Sequence, residues 1–206
     1  FVVSLTGLDF GWRSHGLAHY WDQLSANAFG NFRTLLEDVS LNPAMGFYLN
    51  TKGNQKENPA TGRVPDENYA REVMQLFTIG LYQLNPDGSD KLDASGHRIE
   101  SYTQSDVSNL ARVFTGYDFD QSRNVVTVEP VQQRKVGSTA FTRMRMALAP
   151  ARHSSLEAAF LGTRIPANTP GDKALKIALD ALFAHPNVGP FFGKQMIQRL
   201  VTSNPS

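Results

Sequence analysis

The sequence contains no cysteine, which excludes disulfides, thiolate metal ligands and cysteine nucleophiles. Neither sign of charge is in clear excess, because 20 Lys and Arg residues stand against 19 Asp and Glu residues. We therefore do not expect a nucleic-acid partner. No apolar run approaches the roughly 18 residues that a membrane-spanning helix needs, and no segment has the form of a signal peptide. The hydrophobic fraction of 41% is sufficient for a packed core.

Two motifs with well-understood chemistry are also missing. The sequence has no Gly-x-Ser-x-Gly nucleophile elbow and no glycine-rich phosphate-binding loop of either common type. A serine hydrolase of the α/β type and a nucleotide-binding enzyme therefore have no positive support from motifs.

Apolar residues recur at helical spacing over much of the chain, and we predict a mainly α, multi-helix globular domain. Thr103 and Asp106 have the spacing of a capping box, which places a helix start near Gln104. A short apolar turn is expected over residues 45–49. The other expected helices are two within residues 17–50, one from Pro65 to Gly80 with Tyr69, Val73, Leu76 and Phe77 on its buried face, one over residues 155–161, and two over 171–184 and 188–201.

Turn residues interrupt the helical pattern and predict a small β-hairpin excursion over residues 81–102. A further strand is expected at Val125–Val128, and residues 51–64 are expected to form a surface loop. We predict that residues 1–206 form one helical domain. Because the sequence opens on an apolar stub without Met and closes directly after a helical pattern, we expect that domain to be a fragment of a longer one.

The helix predicted from Pro65 carries a dense polar stripe, in which Asn68, Arg71, Glu72 and Gln75 follow at spacings of three and four residues. Such a stripe can present paired carboxylates and a guanidinium to a ligand. It can equally fasten the helix to its neighbours through an Arg–Glu network. We favour the second interpretation, and both stay open here.

All candidate site residues except His153 lie on the helix predicted from Pro65 or on the next helix. The expected catalytic residues are Glu67, Arg71, Glu72 and His153, and the expected binding residues are Asn68, Gln75, Asp106 and Arg112. Asp106 is first of all the acid of the capping box. Arg112 is expected to pair with Glu67 or Glu72.

Two weaker patterns concern metal ions. His15 and His19 are spaced for one helix face with Asp22 nearby, but ordinary amphipathic histidines explain the same pattern. The acids of residues 87–93 lack the glycine and final Glu of an EF-hand loop, so a hairpin turn is the default. We assign no metal ligand and no cofactor.

Four stretches match an uncharacterised bacterial family in order: Asn42–Met45, the signature segment Pro65–Gly80, Tyr102–Val107 and Ala111–Gly116. With Phe160–Gly162, Gly171–Asp172 and His185–Pro186, the sequence resembles the domain of unknown function 1800 family. The resemblance implies a larger, mainly helical protein that is usually exported, and hence periplasmic or secreted. Members are often encoded beside a sulfatase-like exported family, which suggests a partner protein. Where the family usually has His followed by Asp, this sequence has His153 followed by Ser154.

The resemblance supplies no established reaction, and three hypotheses remain. The first is a non-catalytic scaffold or interaction domain that works with a partner protein. The second is an exported hydrolase in which the four expected catalytic residues meet in one cleft. The third is a metal-binding domain.

Overall fold

The computed structural model describes residues 3, 8, 10–133 and 135–203. Helices make up 43% of the residues that the structure describes, so the mainly α prediction holds in its coarse form and the helical share is modest. The described α-helices are Arg13–Ala26 (α1), Phe32–Ser40 (α2), Pro43–Tyr48 (α3), Asn68–Glu72 (α4), Gln104–Val113 (α5), Gly171–Ala184 (α6) and Val188–Leu200 (α7). The stretch expected to be an apolar turn at residues 45–49 is mostly helix α3, because Asn42 caps it and Pro43 starts it.

The strands are short and pair in three separate antiparallel ribbons. They are Tyr117–Asp118 (β1) with Ala147–Leu148 (β4), Val126–Val128 (β2) with Lys135–Gly137 (β3), and Ala158–Phe160 (β5) with Thr163–Ile165 (β6). The strand predicted at Val125–Val128 is confirmed as β2. The excursion predicted over residues 81–102 is held by isolated antiparallel bridges, such as Tyr82 to Glu100 and Leu92 to Arg98.

Contacts along the chain define two compact units. One contains Glu67–Phe114 and the residues from Ser155 onward, and the other contains the residues up to Asp66 and Thr115–Ser154. The core of the first unit includes Tyr69, Met74, Leu110, Phe114, Leu179 and Leu182, and that of the second includes Tyr20, Leu36, Met45, Tyr117 and Phe141. That residues 1–206 form a single domain stays a prediction.

The signature segment begins as α4 at Asn68 and continues as a π-helix over Val73–Thr78. The wider turn is seen where the Ile79 amide donates to the Met74 carbonyl, five residues earlier, over 2.9 Å. The prediction that Leu76 lies on the buried face was wrong, since 42% of it is exposed. Met74, which lies five positions after the buried Tyr69, is buried instead.

The helix expected over residues 155–161 was also wrong, because β5 and β6 form a hairpin there. Leu161 and Gly162 connect the strands with φ angles of 47° and 74°. Positive φ at both positions is the requirement of the tight I′ hairpin turn. A short apolar run has no period that separates a strand from a helix, and the turn geometry decided the outcome.

The loop expected on the surface at residues 51–64 is buried in its first part. Thr51 and Asn54 are both buried. The Asn54 side chain donates to the Asp66 carbonyl over 3.1 Å and accepts from the Asp66 amide over 2.9 Å. These two bonds close the loop and explain its burial.

Among the described helices, none has the length and apolar content to cross a bilayer.

Candidate functional site

Glu67 precedes α4 and binds three side chains of its own unit. Its Oε1 accepts from Ser108 Oγ over 2.6 Å, and its Oε2 accepts from Gln104 Nε2 over 2.8 Å and from Arg71 Nη2 over 3.1 Å. Ser108 and Gln104 belong to α5, so this carboxylate joins the start of the signature segment to the next helix. The structure thus brings together two of the expected catalytic residues, Glu67 and Arg71.

The electrostatics of Glu67 favour its charged form. Burial acts to raise the pKa of this carboxyl, but the hydrogen bonds from Ser108 and Gln104 and the charge of Arg71 together outweigh burial. The pKa of Glu67 is therefore lowered from its usual value. A general acid at neutral pH needs a raised pKa, so this carboxyl is suited to binding its neighbours as an anion.

Asp106 and Arg112 fasten α5 to the β5–β6 hairpin. Asp106 completes the predicted capping box with Thr103, and its Oδ1 accepts from the Leu161 amide over 2.8 Å. Arg112 donates to the Glu157 carbonyl and to Asn109 Oδ1, over 2.5 and 3.0 Å. Both residues thus bind groups within their own unit. The expected pairing of Arg112 with Glu67 or Glu72 stays a prediction.

Gln75 and Glu72 lie near Tyr102. The Tyr102 hydroxyl donates to Gln75 Oε1 over 3.2 Å, and the pKa of Tyr102 is raised by burial, with Arg71 acting against this and Glu72 and Glu100 adding to it. Glu72 Oε2 is buried and has no hydrogen-bond partner in the described part of the chain. Asn68 is the half-buried first residue of α4.

His153 belongs to the other unit. Its Nδ1 lies 2.9 Å from the Thr115 carbonyl oxygen and donates a hydrogen bond to it. The neighbouring Ser154 donates its hydroxyl to both carboxylate oxygens of Glu57 at 3.0 Å. Ser154 therefore binds the carboxylate of Glu57 next to His153. A catalytic role for His153 together with Glu67, Arg71 and Glu72 stays a prediction.

The structure gives no support to the metal patterns. Within residues 10–133 and 135–203 and at positions 3 and 8, no three His, Asp or Glu residues are grouped closely enough to hold an ion. His15, His19 and Asp22 thus do not form a ligand set, and Asp87 and Asp93 accept hydrogen bonds within their own turns. Asp87, for example, accepts from the Ser89 amide and hydroxyl over 2.9 and 2.7 Å.

A groove of about 800 Å³ lies between the turn at residues 84–89 and α7. Its walls include Leu84, Pro186 and Ile197, and Lys194 crosses it to donate to the Gly88 carbonyl over 2.9 Å. None of the eight expected site residues lines this groove. The sequence offered no signal for it, because its walls come from two segments about a hundred residues apart.

The residue that sequence reasoning missed most clearly is Asn187, which precedes α7 and is 4% exposed. Its Nδ2 donates to the carbonyls of Ile79 and Tyr82 over 2.5 and 2.9 Å. An asparagine directly before a helix is typical of a cap, but the Asn187 side chain makes no capping bond to α7.

Comparison with known proteins gives one match. No curated protein and no solved structure matches the chain. The family described as protein of unknown function (DUF1800) matches residues 2–206, which confirms the resemblance carried by the ordered motifs. The chain therefore belongs to the DUF1800 family.

Proposed function

We propose that this chain is a non-catalytic interaction domain of an exported bacterial protein and that it works with a sulfatase-like partner in the periplasm or outside the cell. The observation that carries the proposal is the Glu67 carboxylate, which is bound by Ser108, Gln104 and Arg71. The most prominent polar group of the signature segment thus fastens α4 to α5.

The other polar residues of the two helices support the same conclusion. Asp106 and Arg112 bind the backbone of residues 157–161, and Gln75 binds Tyr102. Hydrogen bonds within the protein thus occupy these polar groups, which a catalytic site would leave available to substrate. The arrangement fits a rigid platform whose specificity comes from its surface.

The test is calorimetric titration of the chain with the sulfatase-like protein encoded beside it. We expect a dissociation constant below about 10 µM, unchanged within about twofold in Glu72→Gln and His153→Gln. Those two variants alter two of the four expected catalytic residues and leave the Glu67 network in place. Absence of heat at about 100 µM protein, with both proteins folded, would contradict the proposal. Fractionation of cells that express the full gene tests the proposed location.

A second function, an exported hydrolase, has one observation in its favour. The buried Glu72 Oε2 has no partner among the described residues, and a buried carboxylate oxygen left unpaired is costly unless a ligand or water satisfies it. The chain would be assayed on p-nitrophenyl esters, phosphates, sulfates and glycosides. Glu100 is a second acid beside Tyr102 and serves as the control. Loss of turnover in Glu72→Gln, together with full turnover in Glu100→Gln, would establish this function and exclude the first.

A further inference from the structure

The β2–β3 ribbon exposes an apolar strip that no described residue covers. Val126 is 65% exposed and Val128 is 51% exposed. Their cross-strand partners are Gly137 and Lys135, so the face that bears both valines carries one glycine and one cation. An exposed edge of this kind is a template for pairing with another strand unless something protects it.

The backbone hydrogen bonds of β2 also indicate an edge that is open to pairing. The Ser138 amide donates to the Val125 carbonyl over 2.9 Å, which makes these two residues a hydrogen-bonded pair. Because the pairs alternate along an antiparallel ladder, Thr127 and Val136 also bond to each other, and Val126 and Val128 direct their amide and carbonyl groups outward. The two valines with exposed side chains therefore also have outward-facing backbone groups.

The charge around the ribbon selects the kind of strand that fits. Among the described residues of 121–137, Arg123 and Lys135 are cationic and Glu129 is acidic. The acid, Glu129, already accepts from the amides of Val131 and Gln132 over 3.2 and 2.8 Å. A second copy of the ribbon would bring cations against cations, whereas an acidic segment would complement them.

We propose that β2 binds an extended, acidic segment of a partner protein as a third strand along its outer edge. Main-chain hydrogen bonds to Val126 and Val128 provide the affinity, and alternate apolar side chains of the segment pack on the two valines. This inference rests on the proposed function and names the chemistry of the partner's segment.

The test uses two capped, fluorescein-labelled hexapeptides, one alternating Glu and Val and one alternating Lys and Val, and measures anisotropy at low salt. We expect the acidic peptide to bind at least about tenfold more tightly than the basic one. Val128→Pro removes an outward amide and keeps the ladder to β3, so it should weaken the acidic peptide at least about tenfold. Leu200→Ser, which alters an exposed apolar residue of the other unit, should leave binding unchanged. Circular dichroism verifies that each variant is folded.

Four results would overturn the inference. Equal binding of both peptides would show that charge does not select the bound strand. Full affinity in folded Val128→Pro would show that the peptide does not bind along the outer edge of β2. A concentration-dependent dimer in analytical ultracentrifugation that Val128→Pro dissociates would identify a second copy as the occupant. If the peptides fail while the sulfatase-like protein still binds in calorimetry, this inference fails and the proposed function stands.

Discussion

Asn187 Oδ1 lies 2.6 Å from the amide nitrogen of Leu84, a residue 103 positions earlier in the chain. The same side chain donates to the carbonyls of Ile79 and Tyr82. One buried amide thus satisfies backbone groups on both sides of Gly80, where the π-helix has ended and the bridged excursion begins. Backbone groups in such a buried position need partners, and here a single side chain provides them.

We predict that Asn187→Ala lowers the free energy of unfolding by about 2–4 kcal/mol, because it leaves an amide and two carbonyls without their partner. Chemical denaturation followed by circular dichroism measures the change. Asn187→Asp is the matched variant, since it keeps the acceptor for Leu84 and loses both donated bonds. A loss below about 0.5 kcal/mol in Asn187→Ala would show that water replaces the side chain at this position.

The Glu67 network gives a second prediction, which concerns pH. The pKa of Glu67 is lowered in the folded protein, so its stabilising effect is present above the usual value of 4.5 and is lost as the pH falls below 4.5 through the lowered pKa. Glu67→Gln should therefore flatten the dependence of unfolding free energy on pH in that acidic window. Denaturation at a series of pH values between about 5 and 3 measures the slope.

Ser108→Ala tests the same network without a change in charge. It removes the shortest of the bonds to Glu67 and should cost about 1–2 kcal/mol at neutral pH. Ser105→Ala is the control, because Ser105 lies in the first turn of the same helix and does not bind Glu67. Equal losses in the two variants would mean that the bond to Glu67 contributes nothing beyond helix propensity.

Sequence patterns predicted the helices whose signals are local. The capping box of Thr103 and Asp106 and the apolar spacing of α5, α6 and α7 required no knowledge of the rest of the chain. The position of Leu76 was predicted wrongly because no sequence pattern indicates a π-helix. A π-helix has more residues per turn than an α-helix, so the residues that share its buried face differ from those expected. The hairpin at Leu161–Gly162 was misread because a non-glycine residue with positive φ is uncommon.

In the candidate site, too, local contacts could be predicted and long-range contacts could not. Spacing placed Glu67 and Arg71 on one polar stripe, and their interaction is local, at four residues apart. Ser108 and Gln104, the residues of α5 that bind Glu67, could not be predicted. Helical periodicity shows which residues share one face of a helix, but it does not show which other helix packs against that face. Asn187 and the Ser154–Glu57 pair depend on chain folding over long separations, for which a single sequence carries no signal.

The end of the π-helix offers a third prediction. Gly80 has a φ of 69°, and a Cβ built there would lie 2.6 Å from the ring of Phe191. Gly80→Ala should therefore lower the unfolding free energy by about 2–4 kcal/mol, through backbone strain together with a clash in α7. Gly96→Ala separates the two causes, since Gly96 has a φ of 80° and open space around it. It should lose only about 1 kcal/mol, the cost of the backbone alone. Similar losses at the two sites would show that Phe191 moves aside freely.

His185 follows α6 and gives a prediction for mildly acidic pH. Burial lowers the pKa of His185 from the usual value of 6.5, and its Nδ1 accepts from the Asn187 amide over 3.2 Å, which requires a neutral ring. The unfolded chain takes up the proton first, so stability falls as the pH drops from 6.5 toward the lowered pKa of the folded state. His19, whose pKa burial also lowers, contributes in the same direction.

His185→Asn removes this titration and keeps an acceptor near the position of Nδ1. We expect the unfolding free energy of this variant to fall less steeply than that of the unmodified chain between about pH 6.5 and 5. His97→Asn is the control for loss of a histidine, because the His97 side chain is 80% exposed on the excursion. If both variants retain the original slope, the neutral His185 ring does not govern stability in this range.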